Sequence, residues 1–127
     1  MTTLYQVAAA NKGIVVGTGN KVEDFGVGFY TKYGDGGVDI SPIADCNKSE
    51  VWELGKELGI LKEIIDAPPT DGLWDDGRTD EGQLGFKYSE LEDAMGNPNS
   101  PHREQYEKIR NQNLHKMEPI PVCKIPS

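Results

Sequence analysis

Side chains that could bind a phosphate or a metal ion are spread along the sequence from position 18 to position 116. Thr18 follows a short apolar run, and ligands bind beyond the ends of strands in open α/β sheets. Glu23 has two interpretations. It could bind Mg²⁺ beside a phosphate. Because it lies three residues after Asn20, it could instead reach back to the backbone N–H of that residue as a helix cap.

Two lysines and two aspartates offer charges near flexible backbone. Lys48 falls in the first turn of a predicted helix, where exposed N–H groups favour an anion such as phosphate. Lys32 precedes the glycine-rich run 34–37, which presents the single carboxylate of Asp35. Asp39 follows that run. Solvated lysines and an ordinary glycine turn explain the same residues without a ligand, so position alone does not assign them.

The elements that must position these residues alternate between helix and strand. Residues 4–10 predict a helix that Gly13 ends, and the β-branched run 14–16 predicts a strand buried on both faces. Helix, tight turn and buried strand form half of an α/β repeat, so the predicted fold class is α/β with a parallel sheet. A helix that begins directly after Met1 is typical of the interior of a fold.

Capping patterns mark the starts of further helices. Asn20 precedes a predicted helical turn over 21–25, and capping-box spacings open helices at Asn47 and Ser89. The last helix starts with a proline in its first turn. One face of that helix carries Tyr106, Ile109, Gln112 or Asn113, and Met117. Residues 70–85 have few apolar side chains and no clean period, which predicts an irregular acidic loop.

The overall charge excludes two classes of partner. Against 21 acidic residues there are 13 basic ones, a net charge of −8, which argues against nucleic-acid and membrane-surface binding because both targets are polyanions. No apolar stretch is long enough to span a membrane, and no signal-peptide segment follows Met1. The expected location is the cytoplasm, with Cys46 and Cys123 reduced. His102 and His115 have no nucleophile placed beside them, so a hydrolase triad is not supported.

Six segments of the sequence occur in unbroken order between Met1 and about Pro121: residues 17–23, 29–42, 47–48, 69–71, 80–85 and 115–116. The second of them contains the run Thr-Lys-Tyr-Gly-Asp-Gly-Gly-Val-Asp at 31–39. Taken together, these segments resemble the ammonia-dependent NAD⁺ synthetases, which are N-type ATP pyrophosphatases, and the run at 31–39 is highly specific to that family.

The resemblance implies a doubly wound parallel sheet of the adenine nucleotide alpha hydrolase-like, Rossmann-like type, and an adenylating ligase. With ATP and Mg²⁺, such an enzyme converts the carboxylate of deamido-NAD⁺ to an NAD-adenylate and releases pyrophosphate; ammonia then displaces AMP to give NAD⁺. The residues implied are Thr18, Lys48 and Thr70 for ATP, Glu23 for Mg²⁺, Lys32, Asp39, His115 and Lys116 for deamido-NAD⁺, and Asp35 to receive or orient ammonia. Residues 70–85, with Trp74, would order over the site and exclude water. A homodimer is also implied.

The sequence departs from that family in one respect. The phosphate-binding loop Ser-Gly-Gly-x-Asp-Ser, which holds the ATP phosphates and supplies a second Mg²⁺ carboxylate, does not occur in it. Residues 1–127 are therefore expected to form the C-terminal portion of a synthetase domain, inactive without an N-terminal half, which a separate chain could supply. A non-catalytic module that binds nucleotide or pairs with a partner is the alternative. A GMP synthetase is disfavoured by the segment 32–39.

Overall fold

The computed structural model describes residues 1–70, 72 and 75–126. Helices dominate this part of the chain, and none of them is long and apolar enough to cross a membrane. In order they are α1 (Thr2–Ala10), a π-helix (Lys21–Val27), α2 (Lys48–Glu57), α3 (Lys62–Ile65), α4 (Asp80–Leu84), α5 (Tyr88–Gly96) and α6 (Arg103–Met117).

The core lies where the π-helix, α5 and α6 meet. Val22 and Val27 of the π-helix are fully buried, as are Leu91 and Ala94 of α5, and Tyr106 of α6 packs with them. Leu91 and Ala94 are three residues apart, so they share the face of α5 that points inward. Burial of this apolar surface is the main contribution to the stability of the fold.

The predicted inward face of α6 is confirmed. Tyr106 is buried, and Ile109 packs against the core. Of the two amides predicted for the next position, Asn113 is the inward one, because its Nδ2 donates to the carbonyl of Val27 at 3.0 Å. This contact requires a close approach to Gly28, where a Cβ would lie 2.5 Å from the Cβ of Asn113 and where φ is +69°.

Two predicted helix caps are confirmed. The side chain of Asn20 accepts hydrogen bonds from the backbone N–H groups of Val22 and Glu23, at 3.0 and 3.1 Å, and so begins the π-helix. At α2, Glu50 accepts the N–H of Asn47 at 2.7 Å. Both caps join residues two or three positions apart, so the local sequence suffices to form them.

The prediction that residues 14–16 are buried on both faces is wrong. Val15 is 7% exposed, whereas Ile14 is 60% and Val16 53% exposed. Within the described residues, one parallel bridge pairs Val16 with Ile40, so the doubly wound parallel sheet is not confirmed there. Ile14 and Val16 stay exposed because no second layer of the described residues covers them.

Several helix ends differ from their predicted positions. At the end of α1 the left-handed residue is Lys12, with φ of 54°, and not Gly13. Helix α5 begins at Tyr88, because the carboxylate that accepts the first free N–H belongs to Glu90, which bonds the N–H of Lys87 at 2.8 Å. Helix α6 begins at Arg103, so Pro101 lies in the preceding turn.

The region 70–85, predicted to be irregular, contains α4. Thr79 begins this helix by accepting the N–H of Gly82 on its side-chain oxygen at 3.2 Å, and two acidic residues in its first turn complement the helix dipole. Periodicity could not reveal a helix of five residues. Trp74, expected to cover a ligand, lies outside the described residues.

Candidate functional site

A cleft of about 700 Å³ opens beside the π-helix; it is called the main cleft below. Four residues expected to form the site line it, although they come from four separate segments: Thr18, Glu23, Asp35 and Thr70. Thr18 lies in the turn that follows the bridge residue Val16. The backbone therefore places that hydroxyl beyond the end of an extended segment, where open α/β folds bind their ligands.

Lys48 joins this cleft through Glu23. Its Nζ lies 2.8 Å from Glu23 Oε1, and the two side chains are 16% and 15% exposed. A pair this sheltered from water interacts more strongly than a surface salt bridge, and removing one partner would leave a poorly solvated charge. Lys48 is the first residue of α2, so its backbone is held by that helix while its side chain reaches the cleft wall.

Glu23 is held by two further donors. The side-chain amide of Asn20 donates to Oε2 and the hydroxyl of Tyr88 donates to Oε1. The cap interpretation predicted that Glu23 binds the backbone N–H of Asn20. Its carboxylate instead bonds the side chain of that residue. Because these donors bind both oxygens of the carboxylate, the orientation of Glu23 is fixed.

Tyr88 and Asp80 are site residues that the sequence reasoning missed. Tyr88 is 2% exposed and Asp80 8%, and the tyrosine hydroxyl lies 3.3 Å from Asp80 Oδ2. Burial, followed by the neighbouring Glu23, raises the pKa of Tyr88, so the hydroxyl remains a donor. The apolar spacing of α5 could have indicated that Tyr88 is buried, but not which carboxylates it meets. Trp52 packs edge-on against its ring.

Asp24 was also missed. It lines both the main cleft and a smaller pocket of about 150 Å³, and Asp35 lines both cavities with it. Its carboxylate lies directly against Gly19, where a Cβ would stand 1.8 Å from Oδ2. Burial, followed by the negative charges of Asp35 and Glu23, raises the pKa of Asp24 to about 6.

The raised pKa of Asp24 predicts a pH-dependent cost to stability. The folded protein binds this proton more tightly than the unfolded chain, so stability falls as the pH rises from about 3.8 to about 6. We expect Asp24→Asn to raise the free energy of unfolding at pH 7.5 by about 1 kcal/mol, a value reduced for solvent screening, and to have little effect at pH 4. Urea unfolding at the two pH values measures this, and an equal effect at both would contradict it.

The remaining predicted residues tie the 28–37 segment to the end of α6. Lys116 Nζ donates to the carbonyls of Gly28 and Tyr30, both at 2.8 Å, and Lys32 Nζ donates to the carbonyl of His115 at 2.5 Å. Lys32 and Lys116 line a second groove of about 660 Å³. Two cations in one groove favour an anionic ligand. His115 joins this arrangement through its backbone, and its side chain is exposed.

Two aspartates accept hydrogen bonds from backbone N–H groups. Asp35 Oδ1 accepts the N–H of Thr31 at 2.9 Å, which closes the glycine turn. Asp39 Oδ2 accepts the N–H of Val15 at 2.8 Å. Asp35 is nevertheless exposed and lines the main cleft.

The donor set fits a magnesium ion shared with a phosphate. Among the described residues, no group of three or more His, Cys, Asp or Glu side chains could hold a metal ion. Mg²⁺, however, is commonly bound by one or two carboxylates together with substrate phosphates and waters. Glu23, an oriented carboxylate at the cleft wall, satisfies that requirement, whereas a site built from protein ligands alone is not present in this part of the chain.

The sequence matches curated relatives of one kind. It is 42% identical over 127 residues to the NH₃-dependent NAD⁺ synthetase of Alkaliphilus oremlandii, covering 98% of this chain and 50% of that protein. It is 49% identical over 92 residues to the NH₃-dependent NAD⁺ synthetase of Carboxydothermus hydrogenoformans, covering 72% of this chain and 37% of that protein. The chain thus spans half or less of the length of these two relatives.

Two solved structures share the fold of this chain. NMN synthetase from Francisella tularensis superposes with a TM-score of 0.89 at 37% identity, covering 98% of this chain and 52% of that one. The NH₃-dependent NAD synthetase from Campylobacter jejuni superposes with a TM-score of 0.68 at 24% identity, which shows a shared fold. Both neighbours agree with the adenine nucleotide alpha hydrolase-like fold. The family model described as NAD synthase matches residues 1–125, and the chain belongs to the NAD synthase family.

Proposed function

We propose that this chain carries half of the active site of an ATP-dependent synthetase that makes NAD⁺ from deamido-NAD⁺ and ammonia. The observation that supports it is the convergence of Thr18, Glu23, Asp35 and Thr70 on one cleft, with Lys48 paired to Glu23 at its wall. Hydroxyls, a lysine and an oriented carboxylate are the groups that an ATP–Mg²⁺ complex requires.

In this proposal each side of the cleft has a separate task. The hydroxyls of Thr18 and Thr70 contact ATP, and Lys48 binds its phosphates. Glu23 would hold Mg²⁺, which would supply positive charge to stabilise the departing pyrophosphate. The substrate carboxylate attacks the α-phosphorus of ATP, so that an acyl-adenylate forms as the bond to pyrophosphate breaks.

The second step is the attack of ammonia on the acyl-adenylate. Asp35 orients ammonium and accepts a proton from it, because only the neutral amine is a nucleophile. The amine nitrogen then bonds to the acyl carbon, and the bond from that carbon to the AMP oxygen breaks. The second proton lost from nitrogen leaves with solvent. Lys32, Asp39, His115 and Lys116 hold the anionic nicotinate substrate beside this centre.

A mononucleotide substrate is a second candidate. It is favoured by one structural neighbour, the NMN synthetase, which superposes with a TM-score of 0.89 at 37% identity. In that case the same chemistry would amidate nicotinate mononucleotide. Isothermal titration of the chain with the mononucleotide and with deamido-NAD⁺ distinguishes the two, and tighter binding of the dinucleotide would refute the second candidate.

The assembly of the protein and its cellular location are proposed together with this function. A homodimer, an N-terminal half that completes the phosphate site, and a covering segment at 70–85 belong to the same proposal. So does a cytoplasmic location, which is supported by the free thiols of Cys46 and Cys123, since reduced cysteines suit a reducing compartment. The alternative, a non-catalytic module, predicts nucleotide binding or pairing without turnover.

Complementation tests this function directly. We expect the pure chain to form no NAD⁺ from deamido-NAD⁺, ATP and ammonium, because it lacks the phosphate loop. Adding a synthetase half that carries Ser-Gly-Gly-x-Asp-Ser is expected to restore NAD⁺ and AMP formation, followed by liquid chromatography. The control adds the same half with its loop aspartate replaced by alanine. Turnover by the pure chain would refute the expectation that NAD⁺ formation depends on the added half. Binding without turnover in the mixture would favour the non-catalytic module.

A further inference from the structure

We propose that Tyr88 is a positioning residue that keeps Glu23 oriented towards the main cleft when Lys48 leaves that carboxylate for a phosphate. The inference rests on the proposed function, which assigns a polyphosphate and its metal ion to this cleft. It adds a residue to which neither the motifs nor the charge pattern gave a role.

Three donors from three different parts of the chain converge on Glu23. Lys48 comes from α2, Tyr88 from α5, and Asn20 from the turn before the π-helix. Lys48 and Tyr88 bind the same oxygen, Oε1. The carboxylate is therefore held at both oxygens, Oε1 by Lys48 and Tyr88 and Oε2 by Asn20. The Lys48 ammonium offsets its negative charge.

Of these donors, Lys48 is the one that can move. Its ammonium is carried on four methylene groups whose rotation costs little, and its charge suits a phosphate. Asn20 cannot follow it, because the residue is 2% exposed and its Oδ1 also caps the π-helix. Tyr88 cannot follow either, because it is 2% exposed and its ring contacts Trp52 edge-on, at 6.1 Å between centroids.

The consequence concerns what happens to Glu23 after Lys48 departs. With the Tyr88 hydroxyl in place, Oε1 keeps one fixed donor, and the acceptor position that Lys48 vacated becomes available to a divalent cation. Without that hydroxyl, Glu23 would be anchored through Oε2 alone and would lose orientation. An oriented carboxylate binds a metal ion more tightly than a mobile one, since less conformational entropy is lost.

The test uses Mn²⁺ alone as the probe, on a Lys48→Ala background that imitates the departed lysine. Paramagnetic broadening of the Glu23 resonances in NMR spectra gives the Mn²⁺ affinity. We expect Tyr88→Phe in this background to weaken Mn²⁺ binding about fivefold, the effect of one hydrogen bond. The matched control is Tyr106→Phe, which removes the hydroxyl of another core tyrosine, 5% exposed, and is expected to leave the affinity unchanged.

Two further readouts separate positioning from a purely structural role. Side-chain relaxation of Glu23 in metal-free samples should show greater mobility in Tyr88→Phe than in Tyr106→Phe, even if both variants lose some thermal stability. Equal Mn²⁺ affinity with and without the Tyr88 hydroxyl would overturn the proposal, as would unchanged Glu23 mobility. Titration of ATP and Mg²⁺ into the mixture of this chain with a phosphate-loop half tests the proposed function separately: Tyr88-dependent Mn²⁺ binding by the chain, without ATP binding by the mixture, would refute that function and support the role of Tyr88.

Discussion

Replacing Asp35 with asparagine is expected to slow amide formation from ammonium by about 10²-fold or more, the usual contribution of a positioned acid–base group. The measurement is NAD⁺ formation by the complex of this chain with a phosphate-loop half. Asparagine keeps the oxygen that accepts the Thr31 N–H, so the glycine turn is expected to persist. What it removes is the carboxylate that takes a proton from ammonium.

Hydroxylamine makes this prediction specific, because it is neutral at pH 7.5 and needs no base before it attacks the adenylate. We expect Asp35→Asn to retain most of its rate with hydroxylamine while losing its rate with ammonium. Asp45→Asn is the control, since the Asp45 side chain is 98% exposed and pairs with Lys21. Equal losses with both nucleophiles would show that Asp35 shapes the site and does not transfer a proton.

The second large effect is expected in the core. Leu91 is fully buried between the π-helix and α6, so Leu91→Ala would remove apolar contacts and leave a cavity. We expect the free energy of unfolding to fall by about 2–5 kcal/mol, a large share of the stability of a domain this size. Because the π-helix packs on this core, the affinity for ATP should fall as well.

Leu58→Ala is the matched control for this substitution. Leu58 lies at the end of α2 and is 69% exposed, so the same change of side chain is expected to alter stability by about 0.5 kcal/mol or less. Urea unfolding followed by circular dichroism measures both variants. Similar losses for Leu91→Ala and Leu58→Ala would show that the core does not lie where the π-helix, α5 and α6 meet.

Predictions from sequence succeeded where the deciding contact is local. The Asn20 and Asn47 caps are made within three residues. The inward face of α6 follows from the helical repeat of its apolar side chains. Helix ends were less accurate. At α5 the spacing Ser89–Glu92 and the spacing that operates, Lys87–Glu90, are alike in the sequence, and only the carboxylate's actual position distinguishes them.

Burial of the run 14–16 could not be predicted in the same way. Its three residues are all β-branched, which is equally compatible with one buried face or two. The outcome depends on what pairs with Val16, and that partner, Ile40, is distant in the chain. An extended segment gains a second covered face only when another layer packs on it.

The candidate site shows the same difference between local contacts and contacts distant in the sequence. The sequence by itself determined the family, through motifs whose residues are contiguous, and it named Glu23 and Lys48 individually. Only the tertiary structure paired them across 25 positions and added the Tyr88 hydroxyl from 65 positions away. The raised pKa of Asp24 also arises from tertiary packing, because burial is its largest cause. Hydrogen bonds and desolvation between distant residues depend on how helices pack, and that packing is decided by burial over the whole chain.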